Sequence, residues 1–165
     1  EWNAGLLTSI GLVCGAIAPV APLYGWGGGT LLFSVPLIHL SGAGLAILGI
    51  VGALYAQVTM GNSWRVGVDE TERTALVTHG VFAWVRNPIF SCVFLSVGGL
   101  VLLVPNLFSF LALVLTVLGI EIQVRAVEEP YLHQVHGVTY AEYCSRTGRF
   151  MPSVGYLRPS LPLQK

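Results

Sequence analysis

From Trp2 to Trp64 the chain carries no Asp, Glu, Lys or Arg. One bilayer crossing needs about 20 apolar residues, so this run holds two crossings and a turn. The turn falls at the cluster Gly25-Trp26-Gly27-Gly28-Gly29, which cannot continue a helix cheaply. The spacing places one span near Gly5–Tyr24, with Pro19 and Pro22 at its end, and a second near Leu31–Val58. Gly42, Gly49 and Gly52 in the second leave room for a close helix neighbour. A soluble domain is about a quarter charged. Here 10% of residues are charged and 54% are hydrophobic, which specifies an integral membrane protein.

A second charge-free run, Asn87 to Ile120, exceeds one crossing but is too short for two full ones. Pro105-Asn106 breaks it near the middle. A short hairpin is expected: Ile89–Val104 goes in, and a helix from Leu107 comes back out and continues past the membrane through Glu121 and Arg125. A re-entrant pair is the competing picture. The expected fold is therefore an all-α integral membrane protein of about four transmembrane helices, the last two a short hairpin, with a cytoplasmic C-terminal helical segment. All eight basic residues fall in the loop between spans two and three or after the fourth span. The positive-inside rule then puts both termini and the central loop in the cytoplasm, at an inner or plasma membrane. Residues 1–155 form one domain, with the chemistry in about 57–155, and 156–165 form a flexible tail.

That topology brings two polar segments to one face. Met60–Thr78 contains Arg65, Asp69, Glu70, Glu72 and Arg73, and leads into HGVFAWVRNPIF at His79–Phe90. The latter sets Arg86, Asn87 and Pro88 at the mouth of an apolar run, where an arginine either anchors to the interface or binds an anion. In the other segment, Glu121, Arg125, Glu128 and Glu129 lie at helical spacing and share one face. A short amphipathic helix, Tyr131–Tyr143, follows, and then Arg146-Thr147-Gly148-Arg149-Phe150-Met151-Pro152.

Other chemistries find little support. Net charge is zero, so no basic face points to nucleic acid. Cys14, Cys92 and Cys144 stand far apart, and the histidines form no metal-ligand pattern, so no metal is expected. The Glu1 start has no basic leader, unlike a signal peptide. A transport subunit would place ionisable groups inside its spans, yet only His39 stands in the first run.

HGVFAWVRNPIF, a hydrophobic hairpin, EEPYLHQVHGVTYAEY and RTGRFMP, in that order, resemble the isoprenylcysteine carboxyl methyltransferase family and its phospholipid methyltransferase relatives. The family pattern runs roughly G-x-[YF]-x-x-V-R-H-P-x-Y, a hairpin, E-E-x-x-L…G-x-x-Y-x-x-Y and R-x-x…P, and the match covers about residues 57–155. Asn87 stands where the family has His, and Phe90 where it has Tyr. Asn keeps a hydrogen-bond donor but cannot titrate.

The resemblance implies S-adenosylmethionine as methyl donor and a lipophilic acceptor entering from the bilayer among membrane lipids. An isoprenylcysteine-like carboxylate is the expected acceptor, already a nucleophile at neutral pH and needing no base. A phospholipid amine or small thiol is the alternative and would need one. Arg146 and Arg86 are the expected catalytic residues: Arg146 orients the acceptor, while Arg86 supports that site or grips the donor carboxylate. His79, Arg86, Asn87, Glu128 and Glu129 are expected to bind the donor, and Arg146, Arg149 and Tyr140 the acceptor. A small transport or scaffold membrane protein is the non-enzymatic alternative.

Overall fold

The computed structural model describes residues 2–26, 35–61 and 75–157. The polar loop charges from Arg65 to Arg73, the start of the expected second span and the expected tail beyond Leu157 lie outside them. Helix α1 (Trp2–Ile17) is shorter than the expected first span. Pro19 disfavours helical geometry in the residue before it and has no N–H to give, so the chain turns there into a 3-10 turn at Ala21–Tyr24. Helices α2 (Pro36–Met60) and α3 (Pro88–Leu103) each begin on a proline, whose missing N–H costs nothing at a first turn. Helix α4 (Leu107–Gln123) is capped by Asn106: its side chain accepts from the Ser109 N–H at 3.1 Å, and its own N–H donates to Ser109 Oγ at 3.2 Å. Asn106 Nδ2 also donates to Ala18 O at 2.7 Å, tying the hairpin tip to the end of α1.

The helices pack as two pairs, α2 along α3 and α1 along α4, with α3 and α4 meeting more sparingly. Small residues bring the first pair close. A Cβ on Gly42 would lie 2.7 Å from the Gly99 carbonyl oxygen, and one on Gly99 would lie 2.7 Å from that of Gly42. The glycines of the second span thus serve packing. The outer face of α2 is left to its surroundings, with Leu37, Leu40, Ile47, Leu54 and Val58 all exposed.

Among the described residues, two segments are long and apolar enough to cross a bilayer: Pro36–Met60, and the continuous helical stretch Leu107–Arg146, of which only the part before Glu121 is charge-free. Helices α1 and α3 have 16 residues each, about 24 Å at 1.5 Å per residue, short of a hydrocarbon core of about 30 Å.

Beyond α4 the chain differs from the expected ladder. Val124–Glu128 forms one π-helical turn, in which the Glu129 N–H donates to Val124 O, five residues back. Helix α5 (Glu129–Arg146) follows without a gap. The extra residue in that turn breaks the plain helical spacing between Glu121 and Arg125 on one side and Glu128 and Glu129 on the other. Glu121 and Arg125 pair with each other at the surface. The expected short helix Tyr131–Tyr143 lies within α5 and is broken at Gly137, with φ 52° and ψ −123°. That conformation is open to glycine and costly for any residue with a Cβ.

Candidate active site

Arg86 stands two residues before α3 and is 6% exposed. Its Nη1 donates to the carbonyls of Cys144 at 3.2 Å and Thr147 at 2.5 Å. Its Nη2 donates to Glu129 Oε1 at 2.9 Å and to the Gly155 carbonyl at 3.0 Å. One guanidinium therefore touches both Glu129 and Cys144. In a straight helix those residues would stand about 22 Å apart. The break at Gly137 is what folds α5 back around Arg86.

Glu129 is held from a second side. Its two oxygens take a fork from Arg149, Nε to Oε1 at 2.7 Å and Nη2 to Oε2 at 2.8 Å. Burial would push the Glu129 carboxyl up, but the hydrogen bonds and charges of Arg149 and Arg86 outweigh it and hold the group below its ordinary range. The same fork raises the Arg149 guanidinium further above its usual value. The three side chains form a buried clamp in which the Glu129 carboxyl is ionised at neutral pH.

In front of this clamp lies an open cleft of about 550 Å³. Its polar lining is Arg86, Asn87, Glu128 and His136; Met60, Leu76, Phe82 and Leu132 supply apolar wall. Tyr140 and Tyr143 close it, Tyr143 donating its hydroxyl to the Phe82 carbonyl at 2.5 Å. Burial raises both phenols well above their ordinary value, so they act only as protonated groups. Glu128 has no hydrogen-bond partner among the described residues. Burial, and then the charge of neighbouring Glu129, push its carboxyl up to about 7. Arg86 Nε is buried without an acceptor.

The expected site residues therefore separate. Arg86, Asn87, Glu128 and Tyr140 line the cleft, whereas Glu129 and Arg149 stand behind it as the clamp. Asn87 is tied to the C-terminal segment: its N–H and its Nδ2 donate to the Arg149 carbonyl at 3.1 and 3.2 Å. His79 is exposed, precedes the 3-10 turn Gly80–Ala83, and does not line the cleft. Arg146 is exposed on the last turn of α5, and its charge acts on Tyr143 at the cleft. Of the arginines at 86, 125, 146 and 149, it alone has no hydrogen bond or ion pair among the described residues. His136 and Tyr143 were not singled out from the sequence. The signal for His136 was present: positions 128, 132 and 136 recur at i, i+4 and share a helix face.

The phospholipid methyltransferase family model matches residues 37–139, from the start of α2 to just past the break in α5. The chain belongs to the phospholipid methyltransferase family. Within it, the chain is 34% identical to protein-S-isoprenylcysteine O-methyltransferase A of Arabidopsis thaliana over 114 residues, which cover 67% of this chain and 57% of that protein. The fold resembles the solved structure of a eukaryotic intramembrane Ras methyltransferase, isoprenylcysteine carboxyl methyltransferase. The TM-score is 0.72 at 24% identity, over 88% of this chain and 53% of that one. The chain thus spans little more than half the length of these relatives. The kinship read from the three motifs is borne out. The Arg149 half of the clamp lies beyond the part that the phospholipid methyltransferase model matches.

Proposed function

We propose that this protein transfers the methyl group of S-adenosylmethionine to a lipophilic acceptor, in the cleft between α5 and the start of α3. The observation that carries the reading is the pairing of opposite charges in one cleft: the Glu128 carboxyl, which has no partner among the described residues, and the Arg86 guanidinium. A donor with cationic sulfonium and ammonium groups and an anionic carboxylate asks for such a pair. When bound, the donor supplies an electrophilic methyl group. The residues present fit it: the Glu128 carboxyl suits its cations, and Arg86 and Asn87, which line the same cleft, suit its carboxylate and hydroxyl groups.

The acceptor is a carboxylate on an isoprenylcysteine-like lipid. A carboxylate attacks without losing a proton, so the absence of a titrating residue at position 87 does not impede the reaction. What the chain must supply is alignment and a dry cleft. Leu76, Phe82 and Leu132 exclude water. Arg146, whose guanidinium is not otherwise engaged, orients the acceptor carboxylate at the rim. Arg86 and Arg149 are spent on Glu129 and on backbone carbonyls, so they hold the cleft in shape. The four apolar helices cross the membrane of the cell, α1 and α3 with local thinning. Charge bias supports placing both termini and the cleft on the cytoplasmic side.

His136 supports a second reading. An imidazole is the usual proton acceptor at neutral pH, and one in the cleft suits a phospholipid amine or a small thiol. A limb in the pH profile of turnover that His136→Ala removes marks that chemistry. A profile that His136→Ala leaves unchanged marks the carboxylate.

The test of the donor site is calorimetric titration of detergent-solubilised protein with S-adenosylmethionine and its demethylated product. Saturable binding that weakens in Glu128→Gln is expected. Unchanged affinity in that variant removes Glu128 from the site. No binding to folded protein returns the chain to the transport or scaffold readings.

A further inference from the structure

The segment after α5 follows α3 downward. Gly148 bridges Val85 in parallel, and its carbonyl accepts from the Arg86 N–H at 2.8 Å. The Arg149 carbonyl accepts from Asn87, and the Phe150 carbonyl from Ser91 Oγ at 2.6 Å. The Phe150 ring then meets Phe94 edge-on at 5.2 Å. Gly148, Arg149 and Phe150 are thus matched in order to Arg86, Asn87 and Ser91, from just before α3 into its first turn. Phe94 is six residues beyond Pro88, about 9 Å along the helix axis.

There the segment reverses. The Val154 N–H donates to Met151 O at 3.2 Å across Pro152 and Ser153, and Ser153 takes φ 66°. The chain returns to the clamp, where the Val154 carbonyl accepts from the Arg149 N–H at 2.8 Å and the Gly155 carbonyl accepts from Arg86. Met151–Val154 is therefore the far end of a hairpin pointed along α3. It carries no charge, yet Met151 is 65% and Val154 59% exposed. The cations sit at its base, with Arg146 exposed there and Trp84, also exposed, next to the bridged Val85.

We propose that the Met151–Val154 turn is a membrane anchor, its apolar side chains immersed in lipid beside the first two turns of α3. This rests on the reading of α3 as a membrane segment. Apolar groups at the tip, cations and a tryptophan at the base, and a depth of about 9 Å are what an interfacial element needs. The anchor has a consequence for the site. The same hairpin carries Arg149, which forks Glu129, and the Gly155 carbonyl that Arg86 holds. Lipid contact at the tip fixes the depth of the clamp, and so of the cleft, where a lipophilic acceptor arrives.

The experiment uses the full chain in vesicles of phosphatidylcholine and phosphatidylglycerol, with the photoreactive Met151→p-benzoylphenylalanine. Parallel probes stand at Ile47, exposed in mid-α2, and at Glu142, exposed on α5. After irradiation, intact-protein mass spectrometry reads the adducts. Lipid adducts at position 151 should match those at 47 and exceed those at 142 by at least about tenfold, as immersion in the acyl boundary requires. Cross-links to a second copy or within the chain, or yields no higher than at 142, overturn the anchor. Lipid adducts at 47 but not at 151 overturn it while leaving the membrane reading intact. Failure at 47 as well removes the membrane reading and the anchor with it.

Discussion

Glu129→Ala should unfold the protein more readily before it does anything to chemistry. Glu129 is 7% exposed and is the shared partner of two buried guanidiniums, Arg86 at 2.9 Å and Arg149 at 2.7 Å. Removing one member of a buried pair costs about 3–5 kcal/mol, because the remaining charge is left without compensation. Here two charges are left. At roughly 2–4 °C per kcal/mol for a chain of this size, Tm should fall by about 6–20 °C. The loss is visible by thermal unfolding in detergent at pH 7. The pH dependence provides a second readout. The folded carboxyl titrates below its unfolded value, so its contribution is complete above the unfolded pKa and disappears as pH falls through the folded one. The acid limb of Tm against pH should therefore flatten in the variant. A Tm within about 2 °C of wild type, with the acid limb unchanged, would falsify the clamp.

Glu128→Gln should behave in the opposite way. The Glu128 carboxyl titrates near 7 when folded, so its contribution is complete below the ordinary 4.5 and is lost as pH rises through about 7. The neutral variant should match wild type at pH 5, exceed it in Tm at pH 8, and lose donor affinity. A cationic donor favours ionised Glu128, so donor binding should weaken below about pH 7 and release a proton, seen as a buffer-dependent calorimetric heat. Gly137→Ala puts a Cβ at φ 52° and should lower stability by about 1–3 kcal/mol in thermal unfolding. Gly99→Ala, whose Cβ would lie 2.5 Å from the Ala46 nitrogen, should cost about 1–3 kcal/mol by forcing α2 and α3 apart.

The helices were legible because their signals are local and repeated. The hairpin break at Pro105-Asn106, the proline starts and the charge-free runs all act over a few residues, and α3 and α4 begin within a residue of the expected positions. The end of α1 was misplaced because the expected span runs past Pro19 to Tyr24, whereas the helix stops at Ile17. The site was only half legible. Arg86, Asn87, Glu128 and Tyr140 do meet in one cleft. No short-range pattern, however, distinguishes an arginine that binds a ligand from one that holds four backbone and side-chain acceptors. The difference lies in where residues 129, 144, 147 and 155 come to rest, and that depends on one glycine.

Glu128 and Glu129 make the point most sharply. As neighbours in sequence with the same side chain, they invite one role. Their charges repel, which raises whichever of the two has no cation. The π-helical turn fixes where each points, and the break at Gly137 lets Arg86 reach Glu129 from one end of α5 and Cys144 from the other. Two arginines then settle the charge of Glu129, and Glu128 is left near neutral titration in an open cleft. A structural ion and an unpaired cleft carboxyl thus arise from one dipeptide. They remain distinct only while Gly137 keeps α5 folded back, so loss of Gly137 should raise the acid stability limit and weaken donor binding together. An effect of Gly137→Ala on only one of these would show that clamp and cleft are built independently.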